Sequence, residues 1–247
     1  MNFDRIADRY DETRGGAARG ERFAADLLPW LAPGHVLEVG VGTGIVAAAL
    51  RERGVAVVGV DLSEAMLQHA VARLGSAVVR ADAIALPVLS GSVDNVLFVA
   101  ALHAIGDVRG AVAEATRVLR PGGRLVAAHG APRREPDDDD IARAVAPLIR
   151  LQNRPDTPDA LDEAAAITGL RRVGTAWVAP ADLAHAPDEV ADIVEQRLWS
   201  YLWSVDEPTW DRIVAPVIAA LRTLPEPDRP RPHRVSTRLA VFEKMTS

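Results

Sequence analysis

The sequence predicts an α/β fold, a parallel sheet with helices on both faces. Three observations carry that prediction. Short apolar runs alternate with helical stretches from residue 35 to residue 130. A glycine-rich segment, LEVGVGTG (37–44), follows the first apolar run directly. Acids, Asp61 and Asp82, close the next two runs. Alternation of this kind places parallel strands in one sheet, buried on both sides and joined by right-handed crossovers.

The elements follow in order. Residues 3–14 and 20–31 have helical periodicity, with Phe3, Ile6, Ala7 and Tyr10 on one face of the first. Pro33-Gly34 breaks the chain. The run 35–40 predicts a buried strand, and 44–54 a helix that stops at Gly54. Strand 55–61 is followed by helix 64–74, with Ser63 able to cap it. Strands are expected at 77–82, 93–102 and 124–130, with an amphipathic helix at 108–120 before Pro121-Gly122-Gly123. Beyond residue 131 the texture changes. Helices are expected at 137–152, 158–168, 188–204 and 207–224, and strands at 170–178 and 234–244.

The composition bounds the function. The chain has 247 residues, which suits one domain with insertions. Cysteine is absent, which removes disulfides, thiolate metal sites and a cysteine nucleophile. The charged start MNFDRIADRYDETR lacks the apolar core of a signal peptide, and no run approaches the roughly 18 apolar residues of a membrane span. The expectation is a soluble cytoplasmic protein without a membrane partner. A formal charge of −6 offers no general attraction to nucleic acid. Lys244 is the only lysine.

The chemistry concentrates at strand tips. A glycine loop at the carboxyl end of the first strand lies where doubly wound sheets bind ligands. Dinucleotide loops usually run G-x-G-x-x-G; here Gly40, Gly42 and Gly44 give G-x-G-x-G, with Ile45 where the late glycine would stand. Asp61 can accept hydrogen bonds from both hydroxyls of a ribose, in NAD or in S-adenosylmethionine alike. Its other role would be a charge at the start of helix 64–74. Asp82 could accept the exocyclic amine of adenine, with the Ala83 N–H beside the ring, or simply make a turn.

Five ordered pieces, FDRIADRYDETR, VLEVGVGTG, VGVDLSEAML, RADAIALPVLSGSVDNV and RVLRPGGRLV, resemble the class I S-adenosylmethionine-dependent methyltransferases, especially the small-molecule branch with ubiquinone-biosynthesis-type enzymes. The resemblance covers residues 3–128 and implies a Rossmann-like seven-stranded sheet of order 3-2-1-4-5-7-6 with the last strand antiparallel. It implies one methyltransferase domain over 1–247, N-terminal cap helices over 1–32, and helical substrate-lid insertions at 131–168 and 179–233. It implies S-adenosylmethionine as cofactor, S-adenosylhomocysteine as product, and a small-molecule acceptor methylated at O, N or C. Gly40, Val41, Gly42 and Gly44 would lie at the methionyl part, and Asp61 at the ribose with Leu62 and Met66 beside the adenosine. Asp82 and Ala83 would contact adenine, and Ala100 and Ala101 would pass the sulfonium. Tyr10 and Arg14 would close the site; otherwise they are a packing residue and a solvated arginine.

Methyl transfer needs alignment first, and a base only where the acceptor must shed a proton early. His103, past strand four, and His129, at the tip of strand five, are the candidates, each with a structural role as the alternative. Asp137–Asp140 form an acidic run, but neighbouring helical side chains diverge, so the run is expected to cap and charge helix 137–152, with no metal site. Trp199 and Trp203 fall opposite the stripe Val190, Ile193, Val194, Leu198 and Tyr201; packing is the default and a substrate pocket the functional choice. With Trp210 they leave monomer and homodimer open. The competing readings are an NAD-type oxidoreductase, a non-catalytic S-adenosylmethionine-binding module, and an RNA or protein methyltransferase.

Overall fold

Val36–Val39 (β1) is a fully buried strand at the centre of the sheet, flanked in parallel by Val57–Asp61 (β2) and Val93–Val99 (β4). The computed structural model describes residues 3–246; Met1, Asn2 and Ser247, which the expected 1–247 domain and 1–32 cap include, lie outside them. Val78–Arg80 (β3) pairs with β2, and Leu119–Glu135 (β5) with β4, both in parallel. Leu170–Trp177 (β6) pairs antiparallel with Arg231–Lys244 (β8), and the order is β3-β2-β1-β4-β5-β8-β6. This is the expected order and the expected antiparallel last strand, with one addition. An eighth strand, Ala181–His185 (β7), lies off that path and pairs antiparallel with the start of β8.

The chain forms two compact units. Among the described residues the first comprises 3–132, 154–179 and 237–246. Its helices Ala7–Arg14 (α1), Gly16–Leu27 (α2), Ile45–Glu52 (α3), Glu64–Leu74 (α4), Val108–Val118 (α5) and Pro158–Ile167 (α7, which follows Asp140–Val145, α6, of the second unit) accompany the sheet. Two apolar clusters fill it. One joins Phe98, Val112 and Leu125 to Leu161 and Phe242; the other joins Phe23, Leu27 and Leu50 to Leu97 and Val241. Burial of each such side chain contributes about 1.5–3 kcal/mol. Ser63 caps α4 by accepting from Met66 N at 3.2 Å. Lys244 closes the other end of the chain onto α5: its Nζ donates to Thr116 O and Leu119 O, each at 2.7 Å. There it meets the negative end of the helix.

The second unit comprises residues 133–153 and 180–236. Asp140–Val145 (α6), Pro187–Glu195 (α8) and Ala215–Arg222 pack around Leu148, Val194, Leu202, Val214 and Leu221.

Several boundaries differ from expectation. The second N-terminal helix runs Gly16–Leu27 and tightens to 3-10 geometry at Leu28–Trp30, where Pro29 follows. Strand five extends on both sides of 124–130, taking in Leu119 before the Pro121-Gly122-Gly123 excursion. The 137–152 helix is α only over Asp140–Val145, then 3-10 over Ala146–Leu151, where Pro147 supplies no N–H. Helix 188–204 ends at Glu195, because Arg197 adopts φ +53. Helix 207–224 is interrupted by a π turn over Trp210–Val214, just before Pro216.

Candidate functional site

The glycine loop is shaped by the end of β1. Gly40 N and Val41 N both donate to Val60 O, at 2.8 and 3.0 Å, and the chain turns out of the sheet. Gly40, Gly42 and Gly44 all have positive φ, at 75°, 56° and 80°. Their surroundings differ. A Cβ at Gly40 would stand 2.5 Å from Ala101 Cβ; at Gly44 it would press on Leu74 and Ala70 at 3.1 and 3.3 Å. A Cβ at Gly42 would meet nothing within 4 Å, so its backbone borders open space that a ligand can approach. Val41 is buried instead, its side chain packed over Gly59 of β2.

Asp61 stands next to this loop. Its Oδ2 accepts from Gly42 N at 2.8 Å and its Oδ1 from Ser63 N at 2.9 Å. Burial pushes the carboxyl pKa up, and the Ser63, Gly42 and Leu62 N–H groups pull it back. Each oxygen keeps a lone pair beyond these bonds. Leu62 is exposed beside it, while Met66 is packed inward. Asp82 is exposed and accepts from Ile84 N at 3.1 Å, a turn bond, with Ala83 buried beneath it. Gly40, Gly42 and Asp61 are therefore brought together, and Asp82 lies further along the same edge.

Two residues at the loop carry no prior assignment. A cleft there is lined by Tyr10, Arg19, Glu38, Gly40, Gly42 and Val99. Glu38 is 2 % exposed and its Oε2 has no hydrogen-bond partner among the described residues. Burial pushes its carboxyl up to about 8, against the pull of Arg19 and with a smaller push from Asp61. Its signal in the sequence is an acid inside an apolar strand, where periodicity asks for a core side chain. Arg14 lies with its guanidinium carbon 6.0 Å from the centre of the Tyr10 ring.

The N-terminal helix is fastened over this edge by three acids. Asp4 accepts from Ser63 Oγ at 2.5 Å, Asp8 faces His69 Nε2 at 3.1 Å, and Asp11 accepts from Thr43 Oγ1 at 2.5 Å and Arg73 Nη2 at 2.6 Å.

At the tip of β4, Ala100 is held at φ +50, a strained setting for a residue with a Cβ, and its N–H donates to Ala128 O at 2.8 Å. Ala101 touches the space above Gly40. His103 follows in a turn; burial lowers its pKa, Asp156 opposes, and Arg154, Arg14 and Arg19 add to the lowering. His129 is 1 % exposed in β5, one residue past the last pairing of that strand with β4, Val99 with Ala128. Its Nδ1 lies 3.0 Å from Asp156 O, and Gly130 N donates to Asp156 Oδ2 at 2.8 Å. Arg154 Nη1 donates to Gly130 O at 3.1 Å. Burial lowers the His129 pKa, with Asp156 resisting. Asp156 and Arg154 sit in QNRPDTPDA, a segment with no motif to mark them.

In the second unit, Asp139 caps α6 by accepting from Ala142 N at 2.6 Å, and Asp140 pairs with Arg231 at 3.1 Å. Among the described residues no group of three His, Cys, Asp or Glu side chains could hold a metal ion. Trp199 and Trp203 are not on one helix, which corrects the expected opposite-face pair. Trp199 stacks on Tyr201 at 5.8 Å, and Trp203 Nε1 donates to Arg197 O at 2.7 Å. Among the described residues no helix is long and apolar enough to cross a membrane.

Residues 37–127 match the model of a methyltransferase domain. The chain is 35% identical over 160 residues to a demethylmenaquinone methyltransferase of Tropheryma whipplei, covering 62% of this chain and 64% of that one. It is 36% identical over 140 residues to a ubiquinone/menaquinone biosynthesis C-methyltransferase of Paracoccus denitrificans, covering 50% and 55%. The chain thus spans less than two thirds of the length of these relatives. The crystal structure of the YcgJ protein of Bacillus subtilis superposes with a TM-score of 0.59 at 22% identity, covering 93% of this chain and all of that one; this likeness is one of fold.

Proposed function

We propose that this chain, a member of the class I S-adenosylmethionine-dependent methyltransferases, transfers a methyl group from S-adenosylmethionine to a small aromatic acceptor of the quinol type. The observation that carries the cofactor side is the pairing of open space above Gly42 with Asp61 beside it and Glu38 beneath. When bound, the cofactor supplies a methyl group on a sulfonium, already activated for displacement.

The residues suit that molecule. Asp61 keeps acceptor lone pairs for ribose hydroxyls while its two N–H bonds hold the loop. The unpartnered Glu38 Oε2 matches the ammonium of the methionyl part, a cation that repays burial of the carboxylate. Arg19 and Arg14 stand near as partners for its carboxylate. Exposed Leu62 offers an apolar surface for adenine. Ala100 and Ala101, small and closely set, leave room at the reacting methyl. The protein's main contribution is orientation, which can be worth on the order of 7–11 kcal/mol. The quinol-type acceptor rests on what the relatives are called, extended here to this chain.

Calorimetry tests the reading. S-adenosylmethionine and S-adenosylhomocysteine should bind, and NAD should not. Asp61→Ala should weaken both by about 1.5 kcal/mol or more, the loss of one charged hydrogen bond. NAD binding in place of S-adenosylmethionine would reject the family reading for this site. Unchanged affinity in the variant would reject the role of Asp61.

A further inference from the structure

We propose that His129 and Asp156 form a proton-accepting dyad for the methyl acceptor, with His129 as the catalytic base and Asp156 as its positioning residue. The inference rests on the reading above and adds the acceptor-side chemistry to it.

The argument begins with hydrogen-bond inventory. A backbone carbonyl only accepts, so the 3.0 Å contact between His129 Nδ1 and Asp156 O places the proton on Nδ1. In the neutral imidazole the lone pair then sits on Nε2. That atom is buried and has no partner among the described residues. Asp156 repeats the pattern. Its Oδ2 takes the Gly130 N–H, and its Oδ1 is buried without a partner among the described residues. Both residues are 1 % exposed. Two buried acceptor atoms are thus left unsatisfied, and each carries the cost of desolvation with no bond in return. A molecule that brings a hydroxyl proton there recovers this cost; one that brings only carbonyl oxygens does not.

The setting of the two residues is built rather than incidental. The stretch of β5 just past its last pairing with β4, Val99 with Ala128, is held at both polar groups of Gly130: N by Asp156 and O by Arg154. Thr157, next in the chain, caps α7 by accepting from Ala160 N at 3.2 Å, which fixes the segment that carries Asp156. On the other side, Ala128 O accepts from Ala100 N, so His129 directly follows the residue bonded to the strained tip of β4. The dyad therefore stands at the end of the sheet that holds the glycine loop.

The step balances simply. The acceptor's O–H proton passes to His129 Nε2 and its bonding pair stays on the acceptor. The electrons so released form the bond to the methyl carbon, as the bond from that carbon to sulfur breaks with its pair on sulfur. For a ring-carbon acceptor, the ring proton leaves afterwards to solvent as the ring regains aromaticity.

The test uses the 247-residue chain, S-adenosylmethionine and 1,4-dihydroxynaphthalene under anaerobic conditions. His129→Asn retains an amide donor for Asp156 O but has no base. It should lower kcat at least 100-fold and erase the acid limb of the kcat profile. Its S-adenosylhomocysteine affinity should stay within twofold of the native value. Asp156→Asn keeps the backbone carbonyl and removes the carboxylate, so it should move the acid limb to lower pH with at most a tenfold loss on the plateau. Nitrogen-15 spectra of histidine-labelled native protein should show His129 protonated at Nδ1. The proposal is overturned by Nε2 protonation, by kcat within threefold in His129→Asn, or by an unmoved acid limb in Asp156→Asn. Parallel loss of S-adenosylhomocysteine binding in His129→Asn would also overturn it. If the native protein binds S-adenosylhomocysteine but never methylates the probe, the quinol-type reading fails and the dyad falls with it. If it does not bind S-adenosylhomocysteine at all, the family reading of the site is what fails.

Discussion

Replacing Glu38 by Gln removes a charge and keeps the shape, so it isolates the burial of one carboxyl. Its pKa stands at about 8 in the folded protein, with burial as the largest cause, against an ordinary value of 4.5. At about 1.4 kcal/mol per pH unit, that is a handicap on the order of 5 kcal/mol for the ionised form. The sign follows from linkage. The folded protein holds the proton more tightly than the unfolded chain, so stability is full below pH 4.5 and is lost as pH rises towards 8. Glu38→Gln lacks this loss. Urea unfolding at pH 5 and pH 8.5 should show the variant gaining several kcal/mol on the native protein between the two. Cofactor binding reverses the balance, because an ammonium against Glu38 favours the carboxylate. Calorimetry at pH 7 in buffers of different ionisation heat should show up to one proton released by the native protein and none by Glu38→Gln. Parallel pH dependence of the two proteins, or equal proton release, would refute the account of Glu38.

Two further contrasts probe the loop. Gly42→Ala should cost only the about 1–2 kcal/mol of a left-handed residue in stability, yet weaken S-adenosylhomocysteine binding more than tenfold, since its Cβ projects into open space. Gly40→Ala carries the same backbone penalty plus a contact at 2.5 Å with Ala101, so its melting temperature should fall further than that of Gly42→Ala. Asp11→Ala removes the bonds to Thr43 and Arg73 and should speed S-adenosylhomocysteine association and release together, several-fold, in stopped-flow traces; unchanged rates would mean the N-terminal helix does not control access.

The strands were legible because each signal was local, whereas their order in the sheet came with the family resemblance. Apolar runs mark β1, β2 and β4, and Gly40 and Asp61 sit at their ends. The added strand β7 was not legible: ADLAH lacks an apolar stripe, and it exists by pairing with the distant residues 231–235. The break after Glu195 was hidden for a similar reason. Arg197 looks like a helical residue, but its guanidinium reaches Leu202 O and Val205 O and lies 4.0 Å from the Trp210 ring, which draws the chain out of the helix. Glu38 stood in plain view within VLEV, yet its unpartnered oxygen is a property of three dimensions. Asp156 matters only because the fold brings it within hydrogen-bond reach of Gly130, 26 residues away in the sequence.

Lys244 offers an unplanned instrument. Every other basic side chain apart from histidine is a guanidinium, so an acylating reagent meets one side-chain amine in the whole sequence. That amine is engaged by Thr116 O and Leu119 O and reacts only when the end of β8 lifts from α5. Its acylation rate therefore counts local openings at a single place, without an introduced label, and cofactor that tightens the sheet would be read as a slower clock.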